Sequence, residues 1–196
     1  MTLANKLTLA RLAMAPLAFA LLWSQRPPLY ILALVLYLLA IVTDWFDGYI
    51  ARKTGSVSPF GAIADPMADK VLVIGALIAF IRIPEIDVPN WAVFLIIARE
   101  LLIGALRALS GVLGKVHGAD RAGKWSMGVQ SVCVLLTLAI LAGGTNGLEL
   151  PAWILALPHP MTLLCLAVSW ASGALYIHRA APMLQKAWNP PPKPRP

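Results

Sequence analysis

The sequence predicts an all-α, polytopic membrane protein with six transmembrane helices and both termini cytoplasmic. Three observations carry that expectation. Hydrophobic residues make up 59% of the 196 residues, charged residues 13%, and mean hydropathy is +0.76. Soluble domains carry closer to ~25% charged residues, and a chain this short has too little interior to hide so much apolar surface from water. The apolar residues also gather into runs of the ~20 residues that a helix needs to cross the hydrocarbon core. Finally, the basic excess, net +7, is unevenly shared between the ends of those runs, as the positive-inside rule requires. A soluble enzyme, a disordered chain and a disulfide-stapled secreted domain are excluded. Membrane orientation accounts for the basic excess, so no nucleic-acid partner is expected. Cys133 and Cys165 lie inside apolar runs and read as small core residues.

The six spans are expected at about Leu7–Trp23, Leu29–Tyr49, Pro66–Ile83, Val88–Leu109, Lys124–Ala142 and Leu150–Ile177. The first, with Lys6, Arg11 and the triplet Ala18-Phe19-Ala20, also has the outline of a cleavable leader. Removing it would leave five spans and spoil the charge asymmetry, so it reads as a span. The second turns polar at Thr43 and is expected to continue as a helix into water. The last contains Pro158 and Pro160, which predict a kink or break. With six spans, Lys6, Arg11, Arg52, Lys53, Lys115, Arg121, Lys124, Arg179, Lys186, Lys193 and Arg195 fall on one side, and only Arg26 and Arg82 on the other. One membrane domain over 1–182 and a Pro-rich disordered cytoplasmic tail over 183–196 are expected. Gly75, Ala76 and Ala79 on the third span read as packing residues or as the face of a homodimer.

Four of the nine acidic residues, Asp44, Asp47, Asp65 and Asp69, fall in a 26-residue stretch at the cytoplasmic ends of the second and third spans. Spacings of three and four put each pair on one helix face. The connection Lys53–Phe60, with Gly55 and Pro59, is short enough to fold the two helices back as antiparallel neighbours. Carboxylates packed this closely repel unless a cation intervenes. Hard oxygen donors suit Mg2+ or Mn2+, and four carboxylates suffice for two such ions about 3.5–4 Å apart, the arrangement used in phosphoryl transfer. Solvated helix ends are the simpler reading, but one that leaves the spacing without a cause.

The run Asp44-Trp45-Phe46-Asp47-Gly48-Tyr49-Ile50-Ala51-Arg52, followed by Gly61, Asp65 and Asp69, resembles the signature of the CDP-alcohol phosphatidyltransferases, D-x2-D-G-x2-A-R-x8-G-x3-D-x3-D, at every fixed position and gap. Asn5, Thr8, Arg11 and Pro16, then Ala98-Arg99-Glu100, Leu106-Arg107, Gly123-Lys124 and Gln130, are similar to the bacterial branch that forms phosphatidylglycerophosphate. The chain departs from that branch at Trp125-Ser126-Met127, where many members have a Lys-Thr pair. The resemblance implies transfer of a phosphatidyl group from CDP-diacylglycerol to sn-glycerol 3-phosphate, with release of CMP, in the inner membrane. By the same resemblance, Asp44, Asp47, Asp65 and Asp69 are metal ligands and Asp69 is the general base. Asp44, Gly48, Ala51, Arg52 and Gly61 form the CDP-lipid pocket.

The acceptor is read from cations inside the apolar frame: Arg99, Arg107, Arg121 and Lys124. Arginine suits phosphate through its forked donors and lysine as a point charge. Arg99 has a structural alternative, pairing with Glu100, because an unpartnered arginine in a span is costly. Cardiolipin synthase of the CMP-forming type and phosphatidylinositol phosphate synthase are the alternatives within the family. A divalent-cation transporter, which expects carboxylates near the bilayer midplane, and a non-catalytic scaffold are the alternatives outside it.

Overall fold

A computed structural model describes residues 3–54, 59–112, 121–145 and 149–188. Among these the chain is helical without strands: α1 (Leu3–Trp23), α2 (Pro27–Thr54), α3 (Pro59–Phe80), α4 (Asn90–Val112), α5 (Arg121–Thr145), the single turn α6 (Ala152–Leu155) and α7 (Pro158–Trp188). Among the described residues three stretches are long and apolar enough to cross a membrane, Pro27–Asp44, Ala122–Gly144 and Ala152–Pro182, with Leu7–Trp23 a shorter apolar helix. Helices α3 and α4 match them in length but carry Asp65, Asp69 and Lys70, and Arg99, Glu100 and Arg107. The surface is that of a membrane protein. Leu39, Phe94, Leu101, Leu136 and Leu164 face outward, while Arg11, Arg99, Glu100, Gln130 and Ser169 are buried.

The expected break in the last span falls where the prolines put it. Pro158 opens α7, a position at which the missing N–H costs nothing. Helix α7 runs on to Trp188, so 183–188 is helical where the sequence predicted tail; residues 189–196 lie outside the described residues. Helix α2 continues past Asp44 to Thr54, so the helix runs on beyond Thr43 as the sequence predicts. Helix α3 begins at Pro59, seven residues before the predicted start.

The packing order corrects one expectation. Helices α2 and α3 are not the main neighbours of one another; α1 packs on both. Thr8 meets Asp65, Arg11 meets Asp69, Phe19 packs on Gly75, and the Arg82 guanidinium lies 4.0 Å from the centre of the Trp23 ring. Those pairs ascend together on both helices, so α1 and α3 run parallel. The turn at 24–26 sends α2 back, with Gln25 in the left-handed region (φ 53°) closing α1 and its side-chain amide donating to the Arg82 carbonyl. Ala76 and Ala79 are buried in the core and Gly75 lies against Phe19 of α1, so these small residues serve packing within the chain. Helix α5 packs on α2 and α7, and α7 on α4.

Candidate active site

Thr8 and Arg11 are one turn apart, so both look the same way from α1. Thr8 Oγ1 donates to Asp65 Oδ1 at 2.5 Å. Arg11 Nη1 lies 2.8 Å from Asp44 Oδ1 and 3.3 Å from Asp69 Oδ1. Arg11 is fully buried, although the sequence counts it among the surface charges of the positive-inside rule. The first helix thus ties together the carboxylates of two others. The sequence signal for this was present: a Thr and an Arg at helical spacing in a span with so few polar groups. It named no partners.

These carboxylates form one wall of a cavity of about 670 Å3 enclosed by α2, α3, α4 and α5. Arg99, Glu100 and Arg107 of α4, Lys124 of α5 and Lys70 of α3 line the same cavity. The cavity therefore brings carboxylates of α2 and α3 together with cations of α3, α4 and α5. Arg99 is 5% exposed; it donates through Nη1 to Glu100 and through Nη2 to Ser172. Its stem runs along Gly173, where a Cβ would stand 3.0 Å from Arg99 Nε and 3.3 Å from Cγ. The pairing of Arg99 with Glu100 considered from sequence is present, and Arg99 still lines the cavity. Arg107 reaches out with its guanidinium 5.6 Å above the Tyr176 ring, a cation–π geometry. A Cβ at Gly123 would come to 3.4 Å of Arg107 Nη2, so the glycine leaves space for that side chain.

Of the residues singled out in the sequence, Asp44, Asp65, Asp69, Arg99, Arg107 and Lys124 come to this one cavity from four helices. Gly61 is buried near the start of α3. Asp47, Gly48, Ala51 and Arg52 belong to the last turns of α2 and Arg121 opens α5; their side chains lie outside the described residues. Sequence reasoning used Thr8 and Arg11 only for the resemblance and Arg11 for the charge asymmetry, and gave no place in the site to these two, Lys70, Ser172 or Gly173.

The carboxylates fit a divalent cation in the kind of donor they offer. Two oxygens on different helices converge on one cationic atom, Arg11 Nη1, and hard anionic oxygen is what Mg2+ and Mn2+ select. Among the described residues no three carboxylates close on a common point as a metal shell does. Arg11 holds the position between Asp44 and Asp69.

A polytopic helical bundle whose charged cavity is built on this carboxylate pattern is the frame of a lipid-handling phosphotransferase. Residues 1–173 match the family model described as CDP-alcohol phosphatidyltransferase, and the chain belongs to that family. The CDP-diacylglycerol–glycerol-3-phosphate 3-phosphatidyltransferase of Bacillus subtilis is 35% identical over 144 residues, covering 67% of this chain and 74% of that protein. The protein of the same name from Pseudomonas fluorescens is 29% identical over 185 residues, 94% of this chain and 93% of its own length. The cardiolipin synthase (CMP-forming) of Oryza sativa is 30% identical over 202 residues, covering 96% of this chain and 58% of that protein.

Proposed function

We propose that this chain transfers the phosphatidyl group of CDP-diacylglycerol to sn-glycerol 3-phosphate, giving phosphatidylglycerophosphate and CMP. The observation that carries the reading is the mixed charge of the cavity, which is lined both by Asp44, Asp65 and Asp69 and by Arg99, Arg107 and Lys124. The carboxylates are suited to the diphosphate part of the reaction and the cations to an acceptor that brings its own phosphate. The names borne by the bacterial relatives agree with that acceptor.

In this reading Asp69 takes the proton of the acceptor hydroxyl. The hydroxyl oxygen forms its bond to the phosphorus that carries the diacylglycerol, and the bond from that phosphorus to the CMP oxygen breaks. Arg107, Lys124 and Arg121 hold the acceptor phosphate, with Arg99 behind them. Gly48, Ala51, Arg52 and Gly61 shape the pocket for the CDP-lipid beside Asp44. Asp44, Asp47, Asp65 and Asp69 would hold two divalent cations, Mg2+ or Mn2+, whose charge offsets that of the diphosphate in the transition state. Helices α1, α2, α3, α4, α5 and α7 make six spans of the inner membrane, with both termini and the cavity mouth cytoplasmic. Arg107, Lys124 and Arg179 then lie at the cytoplasmic end and Arg26 and Arg82 at the other. The apolar stretch of α2 ends at Asp44, which favours a surface site over the midplane site of a transporter.

The test is turnover by the purified protein in lipid nanodiscs with CDP-diacylglycerol and labelled glycerol 3-phosphate. Label in the lipid phase and equimolar CMP, both dependent on Mg2+ or Mn2+, are expected. No label transfer, with phosphatidylglycerol or inositol phosphate consumed instead, would overturn the choice of acceptor; the plant relative makes phosphatidylglycerol the second substrate to try.

A further inference from the structure

Lys70 directly follows Asp69, and successive side chains on a helix point about 100° apart. Asp69 turns toward α1 and Arg11, whereas Lys70 turns toward α4 and places Nζ 3.1 Å from Glu100 Oε2. The Glu100 side chain is 8% exposed, and its other oxygen accepts from Arg99. Lys70 is 28% exposed and lines the cavity.

Two physical points give this chain of charges a purpose. A buried carboxylate shared by two cations is a poor source of stability, because desolvation offsets most of the attraction and an apolar cluster of the same shape would serve as well. A lysine beside a carboxylate cluster, on a long flexible stem, is drawn to that cluster unless something else holds it. Glu100 supplies the hold and leaves ammonium N–H groups of Lys70 to face the cavity. Arg99, engaged by both Glu100 and Ser172, is the buried end of the same network.

We propose that Lys70 is a ligand to the phosphate of the acceptor, and that Glu100 is the positioning residue that keeps Lys70 on the acceptor side of the cavity. The inference rests on the acceptor reading above and deepens it. It makes the residue next to Asp69 the link between the phosphate group and the attacking hydroxyl of one small molecule. The pair would then favour an alcohol that bears a phosphate dianion over the bare alcohol.

Steady-state kinetics of the full-length protein in nanodiscs test it, varying glycerol 3-phosphate and CDP-diacylglycerol separately. Lys70→Met is expected to raise the acceptor KM about tenfold or more, the scale of one lost charge-assisted hydrogen bond, with the donor KM within about twofold of wild type. Lys70→Arg is expected to restore most of the acceptor affinity. Glu100→Gln, which keeps the shape and removes the charge, is expected to raise the acceptor KM while leaving the donor KM in place. If Lys70→Met does not fold, as judged by thermal unfolding, Glu100→Gln carries the test. An unchanged acceptor KM, or acceptor and donor KM rising together, overturns the proposal. Wild-type protein that makes no phosphatidylglycerophosphate overturns the functional reading instead, so the two failures are distinct.

Discussion

Arg11 Nη1 sits 2.8 Å from Asp44 Oδ1, joining the first helix of the chain to the first aspartate of the signature. The same atom lies 3.3 Å from Asp69 Oδ1, so one guanidinium spans two carboxylates that would otherwise repel. Arg11 is then a built-in countercharge of the acidic wall.

Replacing Arg11 by Met strips that countercharge from a buried position. Removing one partner of a buried ion pair costs about 3–5 kcal/mol, and the lower end applies here because the Asp44 side chain is 48% exposed. The melting temperature of the metal-free variant is expected to fall below that of wild type, and added Mg2+ or Mn2+ is expected to recover part of the loss. Thermal unfolding with chelator and with each ion measures both. A melting temperature equal to wild type in chelator would remove Arg11 from this role.

Asp69→Asn keeps the size of the side chain and abolishes its capacity to accept a proton. Turnover is expected to fall by about 10²–10⁴-fold, the range of a general base, while CDP-diacylglycerol binding measured by equilibrium titration stays close to wild type. Turnover within tenfold of wild type would assign the proton to another acceptor.

At Gly173 an added methyl would stand 3.0 Å from Arg99 Nε. Arg99 is long enough to shift, so Gly173→Ala is expected to cost about 1 kcal/mol, the low end for overpacking. The shift should loosen the Arg99–Glu100–Lys70 chain and raise the acceptor KM more than the donor KM. Ser172→Ala removes the other hold on Arg99 without crowding it and should move the same constant. Equal effects on both substrates would mark these positions as packing alone.

Tyr176→Leu takes the aromatic face from beneath Arg107. A cation–π contact at an accessible site is worth about 0.5–1 kcal/mol, so a rise of about two- to fivefold in acceptor KM is expected. Tyr176→Phe keeps the ring and should behave as wild type in the same assay.

The sequence made the helices legible through long apolar runs and the acidic wall through carboxylates at helical spacing. Asp44, Asp65 and Asp69 meet at one cavity, which Arg99, Arg107 and Lys124 also line. Packing order was not legible. A short connection between α2 and α3 suggests direct neighbours, yet which helix lies between two others depends on complementary surfaces far apart in the chain. Arg11 shows the difficulty. A basic residue near the start of a span satisfies the positive-inside rule whether it snorkels to the surface or is buried against aspartates. Nor does spacing show that Glu100 faces Lys70, thirty residues away.

Because Thr8 and Arg11 of α1 hold carboxylates of both α2 and α3, a shift of the first helix in the bundle would carry Asp44, Asp65 and Asp69 out of their present arrangement.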